Sequence, residues 1–163
     1  MSPIPEWLPP MVSVDGVWEK VLNNLYSIFE NDFKKKQPLL DGKRVWWDRR
    51  ILEGDKEEVF WHLITRTDKQ HGDRLLDSRR AERLPWCAPT INNAQDVSVK
   101  FWLYREGNGR LRAYVWLEDW DYVIILEKRQ LRVGYVFFLI TAYHIDGENQ
   151  KRYLRGKYAK GEP

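Results

Sequence analysis

One cysteine, Cys87, occurs in 163 residues, so no internal disulfide can form and no CxxC pair is present to hold zinc. Histidine is almost as scarce. His62, His71 and His144 are the full set; none belongs to an HxxxH or HExxH pattern and none has a tight cluster of Asp or Glu beside it, which argues against a metal site. The ten glycines form neither GxxxxGK nor a GxGxxG after a strand, so a nucleoside triphosphate or dinucleotide cofactor is not expected, and a serine-hydrolase elbow is also missing. The longest apolar stretch, Tyr135 to Tyr143, is too short to cross a bilayer as a helix, and the N-terminus lacks the basic-then-apolar run of a secretory signal. These absences lead to the expectation of a cytoplasmic chain with no cofactor, no metal and no membrane partner. A protein delivered into another cell by a dedicated machine would look the same.

What the sequence has in plenty is aromatic side chains: 9 Trp, 8 Tyr and 6 Phe, far more than a disordered chain carries. A chain of this length is expected to fold around one core and bury roughly two-thirds of its unfolded surface. Lys and Arg total 27 against 24 Asp and Glu, a net charge of +3, which permits a polyanionic partner without requiring one.

Residues 1–14 include Pro3, Pro5, Pro9 and Pro10 and are expected to be extended, lying over the domain or linking it to something else. Residues 15–163 are read as a single α+β domain. Asp15 is placed to cap a helix in which Val17, Val21, Leu25, Ile28 and Phe29 recur at spacings of three and four, ended by Lys34 to Lys36 and Pro38. Arg44 to Arg50 reads as a short strand. Glu57 to Thr67 fits either a helical face or a buried strand, and its β-branched and aromatic content favours the strand. Asp77 to Leu84 reads as a helix with an aspartate cap. Val97 to Tyr104 and Arg110 to Leu117 make a hairpin around Glu106-Gly107-Asn108-Gly109. Tyr122 to Glu127 and Tyr135 to Ile145 complete a meander whose continuous apolar runs imply strands covered on both faces or central in the sheet, and Gln150 to Lys160 reads as a basic helix. The expected architecture is N-terminal helices packed on a C-terminal four-stranded antiparallel meander sheet.

The candidates for chemistry are His62, the basic residues Arg66, Lys69, Arg74, Arg79, Arg80 and Arg83, and Thr141, Tyr143 and His144 on the last strand. Cleaving RNA without a metal needs a base for the 2′-hydroxyl proton, an acid for the leaving 5′-oxygen and a cation for the phosphorane charge, and this set contains side chains for all three. The alternatives are ordinary: a histidine hydrogen-bonded in the structure, a solvated helix face at DSRRAER, and a Trp86 that is packed inside rather than stacked on a base.

FWHLITR (60–66), DSRRAERLPW (77–86) and LITAYHI (139–145), in that order, resemble the phage- and toxin-associated branch of the barnase, colicin and RelE-like ribonuclease superfamily. The resemblance implies helices on a four-stranded antiparallel sheet, metal-independent RNA cleavage to a 2′,3′-cyclic phosphate, and a site across the sheet face. It implies catalytic roles for His62, Arg83, Thr141 and Tyr143 and substrate binding by Arg66, Arg79, Trp86 and His144. RNA is the implied substrate, and a cognate inhibitor protein is a further implied partner. The reading outside the resemblance is a non-catalytic module with an aromatic and basic surface for protein or nucleic acid.

Overall fold

The computed structural model describes residues 3–162; Met1, Ser2 and Pro163, which belong to the spans 1–14 and 15–163, lie outside the described residues. The chain runs through α1 (Trp18–Phe29), a π-helical turn (Glu30–Lys35), β1 (Leu39–Leu40), β2 (Lys43–Trp46), β3 (Ile51–Glu53), β4 (Lys56–Glu57), α2 (Glu58–Ile64), β5 (Thr65–Thr67) and β6 (Arg74–Leu76). It continues with α3 (Ser78–Glu82), α4 (Leu84–Asn92), β7 (Lys100–Arg105), β8 (Leu111–Leu117), β9 (Tyr122–Leu131), β10 (Gly134–His144) and α5 (Glu148–Lys160). This is an α+β fold. Among the described residues no helix is long and apolar enough to cross a membrane.

The antiparallel meander β7–β8–β9–β10 is present, but the four-stranded sheet needs correcting. The sheet has six strands in the order β1-β2-β10-β9-β8-β7, and β2 joins β10 in parallel, with Val45 opposite Phe137. The edge of β10 carries free backbone donors and acceptors, and the β-branched and aromatic stretch at β2 pairs with them. A pairing between segments some ninety positions apart leaves no mark on local periodicity.

Strand β9 shows why the apolar runs are continuous. Tyr122, Ile124 and Leu126 face one core, shared with Leu25, Phe29 and Phe60 of the helical layer. Val123 and Ile125 face a second, with Trp102, Trp116 and Leu154 under α5. Successive side chains on a strand point to opposite faces, and here both faces are covered.

Two local expectations also need correction. Asp15 does not cap α1: Val17 occupies that position, with no side-chain hydrogen bond. The segment expected as a strand at 57–67 is α2 followed by the short β5, because Val59, Phe60, Leu63 and Ile64 are all buried on one helical face. Asp77, by contrast, does cap α3, its carboxylate accepting from the Arg80 amide. The proline-rich segment packs onto the domain: Leu8 is buried, Trp7 Nε1 donates to Asp96, and the Val12 amide donates to the Glu82 carbonyl.

Past α5 the chain returns to the sheet. Leu103 and Glu162 exchange two backbone hydrogen bonds of 2.8 Å on the outer side of β7. Gly161 makes this possible, since a Cβ there would stand 2.3 Å from Trp102 Cδ1 and 2.7 Å from the Leu103 carbonyl oxygen.

Candidate functional site

β2 stops pairing with β10 at Trp46, and beyond that point α2 packs along β10 instead. Buried Glu57 anchors the start of α2 by accepting from the Tyr26 hydroxyl at 2.5 Å and pairing with Lys34 Nζ at 2.9 Å. At the other end, carbonyls that a helix terminus leaves without partners are satisfied by neighbours: Arg80 Nη1 donates to His62 O at 2.8 Å and to Thr65 O at 2.6 Å. Thr141 Oγ1 donates to the same His62 carbonyl at 3.4 Å. Facing α2, β10 contains a bulge, because Leu139 pairs with Leu126 while Thr141 pairs with Ile125, leaving Ile140 as the extra residue. Between them lies a cleft of about 170 Å³, lined among others by Asp48, Glu58, His62, Arg129 and Phe138.

His62 is the titratable centre of this cleft. Its side chain is 30% exposed and its Nε2 stands 3.5 Å from Glu58 Oε1, one helical turn away. Arg74 Nη2 lies 2.9 Å from Nδ1 and 3.3 Å from Nε2. With both ring nitrogens within 3.3 Å of the same guanidinium nitrogen, Arg74 lies over the face of the imidazole, while Nε2 is the nitrogen turned toward Glu58. Burial, reinforced by Arg74, holds the imidazole below its ordinary value against the opposing pull of Glu58. Asp48 is kept ionised by its bonds to Arg50, which hold its carboxyl below the usual range. Arg129 completes the lining, its guanidinium 3.8 Å above the Phe138 ring and its Nε 2.6 Å from Glu127. A base, a carboxylate to steady its charged form and the Arg129 guanidinium therefore line one opening, and Arg74 reaches the His62 ring from outside that lining.

The other residues singled out in the sequence divide into separate places. Thr141 reaches His62 only through the backbone carbonyl. Tyr143 lies on the α5 side of the sheet with the Arg80 guanidinium 5.6 Å over its ring, and burial raises its hydroxyl pKa. His144, the next residue, faces the opposite side. Its Nδ1 is 3.2 Å from Asp146, and Arg79 Nη1 bonds the same carboxylate oxygen at 3.1 Å. Burial and the nearby Arg83 push the His144 imidazole below its ordinary value. Arg83 donates to the Arg79 carbonyl and packs over Trp86, and it does not line the His62 cleft. Trp86 corrects the idea of a base-stacking platform: it is 7% exposed, with its ring against Tyr122 and its Nε1 bonded to the Pro9 carbonyl. Arg66 is exposed on β5, and His71 pairs with Asp68 in the loop beyond it.

Glu58 and Arg129 are cleft residues absent from the candidates drawn from the sequence, whereas Arg74, which contacts the His62 ring, is among them. The spacing of Glu58 and His62 places both on one helical face, a signal hidden once the segment is taken as a strand. Among the described residues no three His, Cys, Asp or Glu side chains are grouped to hold a metal ion. Comparison with models of protein families, with curated proteins and with solved structures returns no match.

Proposed function

We propose that the chain is a metal-independent endoribonuclease acting at the Glu58–His62 cleft. The observation that carries this reading is a histidine paired with a carboxylate and partly open to solvent, in one small opening with Arg129 and in contact with Arg74. A substrate phosphate draws Arg74 away from the ring, and the unprotonated ring nitrogen takes the 2′-hydroxyl proton. Glu58 stabilises the imidazolium that results, and Arg74 and Arg129 offset the additional charge on the phosphorane. The 2′-oxygen closes on phosphorus, the P–O5′ bond breaks, and the leaving 5′-oxygen is protonated from water, giving a 2′,3′-cyclic phosphate. In this scheme Thr141 and Arg80 are positioning residues that fix the His62 backbone. At about 170 Å³ the cleft falls below the roughly 300–1,000 Å³ usual for whole small-molecule ligands, which suits a site that encloses only the reacting part of a polymer.

The test is incubation of purified protein with single-stranded RNA in excess chelator, beside His62→Ala and Glu58→Gln. Fragments ending in cyclic phosphate, lost by about 10²-fold or more in His62→Ala, support the reading, whereas intact RNA with folded wild-type protein overturns it. A second reading, a non-catalytic nucleic-acid-binding module, is favoured by one observation: both ring nitrogens of His62 already have protein partners, as in a histidine that only holds structure together.

A further inference from the structure

Arg129 belongs to two cavities. Besides the His62 cleft it lines a groove of about 510 Å³, three times larger, which also includes Arg105, Arg110, Glu127, Lys128 and Tyr135. The groove opens where β9 and β10 run on past the β7–β8 hairpin, which turns away at Glu106 to Arg110. Four cationic side chains stand there against one carboxylate, so a modest overall charge of +3 conceals a strong local excess.

These cations are held in place. Glu127, its side chain only 5% exposed, takes Arg129 Nε at 2.6 Å and Arg110 Nη1 at 3.5 Å. Each of these contacts engages one guanidinium nitrogen, and a guanidinium has five N–H donors. Lys128 Nζ sits 3.9 Å over the Tyr135 ring, and Arg105 Nη1 bonds the Gly109 carbonyl. Side chains already ordered lose less entropy when an anion arrives.

We infer that this groove is a phosphate-backbone subsite for single-stranded RNA, in which Arg110 and Lys128 hold phosphodiesters flanking the one at the His62 cleft. The inference rests on the reading of that cleft as RNA-cleaving and extends it. Arg129 lines both the groove and the cleft, so the proposed strand, with its regularly spaced negative charges, passes this side chain from one to the other. The small cleft at one end takes a single extended strand and not a duplex.

The probe is a fluorescently labelled RNA octamer with 2′-O-methyl groups, which cannot be cut, titrated with wild-type, Arg110→Glu and Lys128→Glu protein at 50 to 200 mM salt. Lys128→Glu leaves the Glu127 ion pairs in place, which separates loss of binding from loss of folding. The slope of log affinity against log salt is about −0.7 per phosphate contact on a single strand, so three contacts give about −2. Each charge reversal should weaken binding about tenfold or more and flatten that slope. Cleavable octamer should lose about tenfold in kcat/KM in both variants, a larger loss than for a dinucleotide, which is too short to reach the groove. Unchanged octamer binding in both variants overturns the subsite, as does tighter binding of a 12-base-pair duplex or of a poly-glutamate peptide. If wild type binds as expected and cuts nothing, the groove stands and the cleavage reading falls. If wild type cuts but the variants bind and cut the octamer normally, the groove falls and the cleavage reading stands.

Discussion

Arg74 Nη2 rests 2.9 Å from His62 Nδ1 and 3.3 Å from Nε2, so a fixed positive charge stands against the imidazole that would receive a proton. Since the guanidinium disfavours protonation of the ring, Arg74→Gln should raise the His62 pKa. Glu58→Gln should lower it, because Glu58 supports the charged ring. NMR titration of the imidazole resonances checks both directions. A pKa that moves in neither variant would mean the three side chains are not coupled in solution.

Acidification should destabilise the fold within the histidine range. His62 and His144 both have folded-state values below the ordinary one, so below about pH 6.5 the unfolded chain takes up protons that the native state resists. Stability is full above that value and is lost as the pH falls through the folded-state values. Urea midpoints measured between pH 7 and pH 5 should decline, and the decline should be shallower in the double variant His62→Gln with His144→Gln.

Thr141→Val removes the hydroxyl that touches the His62 carbonyl but leaves the Arg80 bond to that same oxygen. The expected cost is about 0.5–1.5 kcal/mol in stability. Cleavage should fall less than tenfold, far less than in His62→Ala. A loss as large as that of His62→Ala would make Thr141 a participant in the reaction.

Leu154 is the buried contact of α5, packed with Trp102 and Trp116. Leu154→Ala should destabilise the protein by about 2–5 kcal/mol. Calorimetry or urea unfolding would read this directly.

Gly161→Ala puts a methyl group against Trp102 and the Leu103 carbonyl. Forced displacement in a packed region costs roughly 1–3 kcal/mol. Hydrogen exchange at the Leu103 amide should speed up markedly, and unchanged protection there would show that the C-terminal return does not hold β7.

Much of the architecture could be read locally. The hairpin around Gly107 and Gly109, the meander, the Asp77 cap and the basic final helix each rest on neighbouring residues, and their signals survive without tertiary context. Three features were hidden for physical reasons. The parallel pairing of Val45 with Phe137 depends on residues distant in sequence. The helix at 58–64 has strand-like composition, and burial of Val59, Phe60, Leu63 and Ile64 against the core decides the outcome. The bulge at Ile140 reverses the strand alternation, so counting by twos from Leu139 assigns Thr141 and Tyr143 to the wrong face of the sheet. For the site, the sequence pointed to His62 and Arg74 but not to Glu58 or Arg129. Glu58 was obscured by the strand assignment, and Arg129 is carried by the far end of β9, a strand that outruns its apolar run.

The two backbone bonds between Leu103 and Glu162 also bear on how copies of the protein behave toward one another. An outermost strand with open amides and carbonyls is a template on which another chain can add a strand. Here the open groups of Leu103 in the middle of β7 are taken by Glu162, and at the opposite margin β1 is only two residues long. At Leu103, therefore, another copy finds no open amide or carbonyl to recruit. Removing Gly161 and Glu162 would turn the row beside Leu103 into a place where aggregation can begin.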